Sequence, residues 1–515
     1  MMTRRSAIGA LGAAMTVRAP LFRAEELRAQ DLKPEIAAGP YSSDPQSLQA
    51  YRIPEWFRDA KLGLWAHWGP QSSAEYGDWY ARNIYIEGSR QYKYHLKKYG
   101  HPSKVGFKDV ISTWKAERFD PNYLVGLYKK AGAKYFVSMG VHCDNFDLWN
   151  STYHRWNAVK MGPQKDIVGL FRKATRDHGL RFGVTEHVWG SYNWFATNKG
   201  ADKLGPYAGV PYDGNDPANQ DLYHEPHPVM KSAWAEQGNE PVHWKHEWLT
   251  RIKDLVDQYQ PDLLYTDGGI PFSEWGRSLV AHYYNQSLRW RRGAMDVVYT
   301  SKRKSDCEIG TCALDVERGI VDEIAAEPWQ TDTCVGNWHY DVDAKYKSPK
   351  TVVDLLVDIV SRNGNMLLNF PLRSDGTLDD QEMKIVGELT AWMAINSEAI
   401  HATRPWKIFG EGPGIRKSGS ASLFNNEKGR QALTFDDVRF TTRGKTLYAF
   451  SMGWNPRETL FAALAPNRKL YEGKVRNVTL LGYRGHLKWK LGDDGLRIQM
   501  PEQKVSSHAA VFKIV

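Results

Sequence analysis

An eight-stranded α/β barrel of the (β/α)8 TIM type, followed by an antiparallel β-sandwich, is the fold class that three features of this 515-residue chain predict. Short apolar runs alternate with helical periodicities from about residue 60 to residue 400. Several of those runs stop at a charged or imidazole side chain. From about residue 405 the helical period gives way to strand-like segments between Gly and Asn turns.

Taken along the chain, the candidate strands are Leu62 to Ala66, Ala133 to Gly140, Arg181 to Thr185, Leu263 to Thr266, Val297 to Thr300, a weak one at Ala313 to Val316, Trp329 to Thr333 and Asn365 to Asn369. Between them, Pro121 to Ala131, Asp166 to Asp177, Val242 to Tyr259, Lys350 to Arg362 and Asp380 to Asn396 repeat apolar residues at i, i+3, i+4 and i+7. Asp120 and Ser348 sit where N-caps belong. His67, His142, Glu186 with His187, and Asp267 follow closely on apolar runs, and in a barrel those strand ends converge on one rim. A doubly wound open sheet is the competing architecture. Its phosphate turn is missing, because Gly63 and Gly69 flank His67 in no G-x-G-x-x-G arrangement.

Residues 45–402 are therefore assigned to the barrel and 405–515 to the sandwich, whose strands include Thr446 to Met452, Val478 to Leu481 and Ala509 to Ile514. Residues 195 to 240 are too long and polar for an ordinary connection and predict a rim loop that shapes the pocket. Within that loop Asp213-Gly214-Asn215-Asp216 lacks calcium-loop spacing, and His224-x-x-His227 lacks a third ligand. No metal site and no cofactor are expected.

Residues 1–30 read as a twin-arginine signal peptide: Arg4-Arg5 precede a short small-residue apolar stretch, Ala7 to Val17, and then Arg18-Ala19-Pro20. A periplasmic or secreted protein is expected. No later apolar run approaches the roughly 20 residues that span a bilayer, so no membrane association is expected of the mature form. Residues 1–28 hold five arginines against two glutamates, and without them the formal charge of +9 falls to +6. That mild excess suits a solubilising surface, leaves room for an anionic polysaccharide and gives no reason for a nucleic-acid partner. The four cysteines form neither a zinc spacing nor a dense disulfide framework, which still leaves room for one bridge, such as Cys307 to Cys312.

Twenty tryptophans offer aromatic faces of the kind that stack on sugar rings, although most belong to the core. The sharper signal is Pro261-Asp262-Leu263-Leu264-Tyr265-Thr266-Asp267-Gly268-Gly269, a strand delivering one carboxylate to the rim with small residues behind it. Asp267 suits a nucleophile; the competing reading is a helix cap. A glycosidic leaving group also needs a proton donor. Candidates are Glu317, Glu327, Glu186 and Glu308, and Glu317 sits at a strand end where burial would keep it protonated near neutral pH.

Several blocks in order then carry a resemblance: Trp56 to Gly63 running into His67-Trp68-Gly69, Tyr76-Gly77-Asp78-Trp79-Tyr80, Gly140 to Trp149, Asn157 through Lys165-Asp166 to Gly183, and Asn363 to Asn369. Over nearly everything after residue 50 the chain resembles bacterial α-L-fucosidases of glycoside hydrolase family 29. The resemblance implies a retaining exo-hydrolase of terminal α-L-fucose on an oligosaccharide or polysaccharide. It implies Asp267 as nucleophile and Glu317 as acid/base. Sugar contacts are implied at His67, Asp78, Trp79, His142, Tyr265 and Trp338, the last facing the C6 methyl. The chain departs from the family at His142-Cys143, in place of a His-His pair, and at Thr185-Glu186-His187, in place of an aromatic pair. Cys143 and Glu186 are accordingly expected in the pocket, where they would alter sugar preference. The alternatives are an exo-glycosidase for L-galactose or a substituted or sulfated fucoside, or a fucose-binding barrel without turnover.

Overall fold

The computed structural model describes residues 32, 34–228, 238–308, 310–415, 422–427 and 431–515, so the signal peptide expected at residues 1–30 lies outside the described residues. Eight strands, β1 (Leu62–Ala66), β2 (Tyr135–Val141), β3 (Arg181–Glu186), β4 (Leu263–Thr266), β5 (Val298–Ser301), β6 (Ala313–Leu314), β7 (Trp329–Cys334) and β8 (Gly364–Asn369), form one parallel sheet in the order β6-β5-β4-β3-β2-β1-β8-β7. The sheet closes on itself after β6. Val316 N–H donates to Gln330 O at 2.9 Å and Arg318 N–H to Asp332 O at 2.8 Å, so the chain beyond β6 runs alongside β7.

The strands are buried on both faces, as a barrel wall requires, and their side chains alternate. Trp65, Tyr135, Val137, Leu263, Tyr265 and Leu367 belong to the apolar cluster that fills the barrel. Leu62, Leu64, Phe136, Val184 and Leu368 join the larger cluster beneath the helices. Gly63 is required by packing: a Cβ there would lie 2.2 Å from the Tyr135 ring.

The predicted helices appear as Pro121–Lys130, Ile167–Asp177, Val242–Tyr259, Pro349–Ser361 and Asp380–Asn396. Asp120 and Ser348 cap two of them, accepting from the N–H groups of Tyr123 and Thr351. Periodicity does not reveal the further helix Glu274–Trp290, because one of its faces is buried yet polar. The N-terminal segment crosses that face through hydrogen bonds. His282 accepts from Ala37 N–H at 3.0 Å, and Asn285 accepts from Tyr41 N–H while donating to the carbonyls of Ala37 and Tyr41.

Strands β9 (Arg404–Glu411), β10 (Val438–Arg443), β11 (Thr446–Ser451), β12 (Glu458–Phe461), β13 (Val478–Leu480), β14 (Trp489–Gly492), β15 (Gly495–Gln499) and β16 (Ala510–Ile514) follow. They form two antiparallel sheets, β13-β16-β11-β10-β9 and β12-β15-β14, around a core that includes Phe440, Phe461 and Phe512. The sandwich is keyed to the barrel by charge. Arg439 of β10, fully buried, donates to Asp358 on the helix Pro349–Ser361, which Arg362 also contacts at 3.2 Å. A disulfide joins Cys307 and Cys312, while Cys143 and Cys334 are free and buried. Among the described residues no helix is long and apolar enough to cross a membrane.

Candidate active site

The C-terminal ends of the barrel strands surround a cavity of about 550 Å³. Strand β4 alternates Leu263 and Tyr265 into the barrel, so the next inward position is Asp267 at the cavity floor. Gly268, with φ of +132°, follows it, and a Cβ there would stand 2.7 Å from the Trp189 ring. That close approach lets the Trp189 indole N–H donate to Asp267 O and fix the turn that aims the carboxylate.

Three groups hold the Asp267 carboxylate. His187 Nδ1 lies 3.0 Å from Oδ2, the Tyr265 hydroxyl donates to Oδ1 at 2.9 Å, and Lys302 Nζ lies 2.6 Å from Oδ1. The same ammonium, at the end of β5, also donates to Glu317 and lies 3.3 Å from Asp332. Two oxygens bonded to one ammonium are separated by at most about twice a hydrogen-bond length, roughly 5.6 Å. The acids at 267 and 317 therefore face one another at close range.

Their environments push the two carboxyls apart. Burial alone would raise Asp267, but the Lys302 charge and His187 outweigh it and hold this carboxyl well below the usual range. Glu317 moves the other way: burial, with help from Asp332 and Asp267, raises it to about 7 against the pull of Lys302. Lys302 itself titrates well above an ordinary lysine, because its anionic neighbours overcome its own burial. At neutral pH the pocket thus holds an anionic Asp267 beside a Glu317 that retains a large share of its proton.

The remaining wall is aromatic and imidazole. His67 follows β1, where Asn369 accepts from its backbone N–H at 2.8 Å and donates to Trp338 O at 2.8 Å, tying two parts of the wall together. His142 follows β2 and contacts Gln71 through Nδ1. Burial, reinforced by neighbouring imidazoles, lowers both His67 and His142 well below the ordinary histidine range, so both are neutral. Asp78 accepts from the backbone N–H groups of Trp338 and His339, which anchors that loop over the pocket. Trp79 and Trp338 line the cavity, and the Arg318 guanidinium lies 4.7 Å above the Trp338 ring.

Among the described residues, His67, His142 and His187 bring nitrogens within 4.8 Å of one another, the kind of trio that could hold a metal ion. The fit is poor. Zinc at 2.0 to 2.1 Å from each nitrogen needs ligands about 3.4 Å apart, and His187 already meets Asp267 and Thr185 while His142 meets Gln71. The trio suits hydrogen bonds to a polyol better. His224 meets Ser191 and His227 meets Tyr192 O, so the His224-x-x-His227 pair is structural.

Of the sequence-predicted site residues, Asp267, Glu317, His67, Asp78, Trp79, His142, Tyr265 and Trp338 come together on the cavity wall. Cys143 and Glu186 do not, which corrects the expectation that they tune the pocket. On β3 alternation is the reason, since His187 faces inward and Glu186 beside it faces away; on β2 a register shift between Met139 and Val141 resets the alternation set by Tyr135 and Val137, so His142 enters the cavity and Cys143 does not. Cys143 Sγ donates to His187 O at 2.9 Å, and Glu186 accepts from the Trp248 indole at 3.3 Å beneath the helix Val242–Tyr259. Nor does any described residue of the 195–240 loop line the cavity. Sequence reasoning missed Lys302, Asp332, His339 and Phe424, and it noted His187 without placing it at the sugar. A basic residue at the end of β5 was the available signal for Lys302.

Two family models match the chain: Alpha-L-fucosidase over residues 29–398 and Alpha-L-fucosidase C-terminal domain over residues 431–515. The tissue alpha-L-fucosidase of Bos taurus is 26% identical over 468 residues, covering 88% of this chain and 86% of that protein. The plasma alpha-L-fucosidase of Homo sapiens is 26% identical over 474 residues, covering 89% and 88% respectively. Among solved structures, the Thermotoga maritima alpha-fucosidase in complex with fucose superimposes with a TM-score of 0.68 at 25% identity, covering 92% of this chain and all of that one.

Proposed function

Because the chain belongs to the alpha-L-fucosidase family and is a glycoside hydrolase of that class, we propose that its barrel-mouth cavity releases terminal α-L-fucose by double displacement, with Asp267 as nucleophile and Glu317 as acid/base. One observation carries this reading: both carboxylates bond the single ammonium of Lys302. Sharing one ammonium keeps the two carboxyls close, which supports the short spacing of a retaining enzyme, about 5 to 5.5 Å, over the roughly 6.5 to 9.5 Å that leaves room for a water in an inverting one.

The chemistry follows from the two protonation states. Anionic Asp267 attacks the anomeric carbon as the glycosidic C–O bond breaks, and the Glu317 proton goes to the departing oxygen. Glu317, now a carboxylate, takes a proton from water, which attacks the same carbon and frees Asp267. Two inversions leave the anomeric configuration unchanged. Lys302, Tyr265 and His187 keep the nucleophile charged and oriented. His67 and His142, being neutral, can each donate or accept toward ring hydroxyls. Trp338 offers an apolar face to the C6 methyl.

Peptide mass spectrometry after inactivation with a 2-fluoro-fucosyl fluoride tests the assignment. A label on Asp267 is expected, and a label on any other residue removes it. Asp267 and Glu317 converging on one cavity speaks against a fucose-binding barrel without turnover. Cys143 and Glu186, which with the mild positive charge suggest an altered sugar preference, both face away from the cavity, which weakens that alternative. We read the substrate as a fucosylated oligosaccharide or polysaccharide. The paired arginines at positions 4 and 5 and the Cys307–Cys312 bridge support a bacterial protein exported to an oxidising compartment. Sequencing the N-terminus of the mature protein tests this, because an intact Met1 removes the signal-peptide assignment.

A further inference from the structure

One aromatic at the cavity mouth comes from outside the barrel. Phe424, about half exposed, lines the same cavity as Asp267 and Glu317, yet it belongs to the connection between β9 and β10 of the sandwich. Its segment, residues 422–427, is fastened to the very stretch that carries Glu317. Asn425 N–H donates to Glu317 O at 2.9 Å, and Glu427 N–H donates to Arg318 O at 2.9 Å. The Asn426 side chain clasps Ile320, accepting from its N–H and donating to its carbonyl. The Glu427 carboxylate takes bonds from Thr333 and Lys347. Gly319 is what allows this approach, since a Cβ there would lie 2.0 Å from Leu423 O.

Position then dictates chemistry. A general acid protonates the oxygen of the departing group, so it must stand on the leaving-group side of the scissile bond. Phe424 lines the cavity from the strap that bonds the backbone of Glu317 and Arg318, which points to that side for its ring. An exposed aromatic held by backbone bonds at a sugar site offers a flat apolar face to the C–H face of a pyranose, with little ordering left to lose on binding.

We propose that Phe424 forms the leaving-group subsite, stacking on the sugar ring to which the fucose is attached, and that the 422–427 strap couples this contact to the placement of Glu317. The inference rests on the fucosidase reading and extends it from the sugar released to the sugar left behind. It identifies the recognised partner as a pyranoside with one apolar ring face, such as a galactoside, rather than a small or charged aglycone.

The test compares two substrates in one enzyme: α-L-fucosyl fluoride, whose leaving group has no ring, and a fucosyl-galactose disaccharide. Turnover of the fluoride by the unaltered enzyme tests the fucosidase reading by itself. For Phe424→Ala, the ratio of kcat/KM for disaccharide over fluoride is expected to fall roughly three- to tenfold, the range of one aromatic stacking contact, and Phe424→Trp is expected to restore it. An unchanged ratio in the alanine variant, or equal losses on both substrates, overturns the proposal. Equal losses would mean that Phe424 acts only by holding the fold.

Discussion

Lys302→Met removes one charge while keeping nearly the same volume, so it isolates what the ammonium does. In the parent, the charge lies 2.6 Å from Asp267 and 3.3 Å from Asp332, and it donates to Glu317. With an effective dielectric of about 20, those two distances correspond to gross attractions of about 6 and about 5 kcal/mol. Desolvating the ammonium offsets part of this, and removing one partner from such a buried set typically costs about 3 to 5 kcal/mol. The loss depends on pH. Without Lys302, less opposes burial at Asp267 and Glu317, so both titrate higher in the folded state than in the parent. A carboxyl whose folded pKa is raised contributes stability below its unfolded value, and that contribution disappears as pH rises through the folded value. The melting deficit of the variant should be small at pH 5 and large at pH 8. Activity should fall at least about a hundredfold at pH 6, because a protonated Asp267 cannot attack. Thermal melts at the two pH values, with kcat/KM on an aryl fucoside, decide the matter. A deficit at pH 5 that equals or exceeds the one at pH 8, or activity within about threefold of the parent, refutes this account of Lys302.

Three other outcomes are expected. The pH profile of kcat/KM should decline above about pH 7, where Glu317 loses its proton, and Glu317→Gln should abolish that limb; a limb that persists in the variant would belong to another group. Glu186→Gln should leave KM within about twofold, since this side chain faces away from the cavity, and a rise of tenfold or more would put it at the sugar. Burial raises Glu186 to about 7, so the parent loses up to about 3 kcal/mol of stability between pH 5 and pH 8 that the glutamine variant keeps, visible as a crossing of their melting curves. Gly319→Ala should push the 422–427 strap away from Glu317, costing about 1 to 3 kcal/mol of stability and reducing turnover of every fucoside, and melting and activity equal to the parent's would argue against that close approach.

Much of the barrel is legible in the sequence because strands such as β1, β2 and β4 are buried on both sides and read as near-continuous apolar runs, whereas β7 is buried yet mostly polar. The short strand β6 is the weakest of the eight, and the structure keeps only Ala313 and Leu314 of the stretch expected there. The helix Glu274–Trp290 escapes notice because its buried face is polar and satisfied by the N-terminal segment, which no periodicity records. Asp267 is legible as an acid directly after a strand. Cys143 and Glu186 show where reading strand ends fails: neighbours in sequence point to opposite sides, so His142 and His187 enter the cavity and the adjoining residues cannot. Lys302 meets the acids because β5 lies between β4 and β6, and Phe424 reaches the cavity only through the return of the sandwich, contacts made across distances that local patterns do not encode.

The guanidinium of Arg439, locked against Asp358, bears on any attempt to trim this enzyme to a minimal catalytic fragment. A polypeptide stopped after residue 403 would contain all eight wall strands and both acids proposed to react. It would also strip the cover that β9 and β10 give the helix Pro349–Ser361 and take away the peptide that braces Glu317. The sandwich is thus no detachable passenger, and shuffling it between relatives would swap part of the catalytic wall along with it.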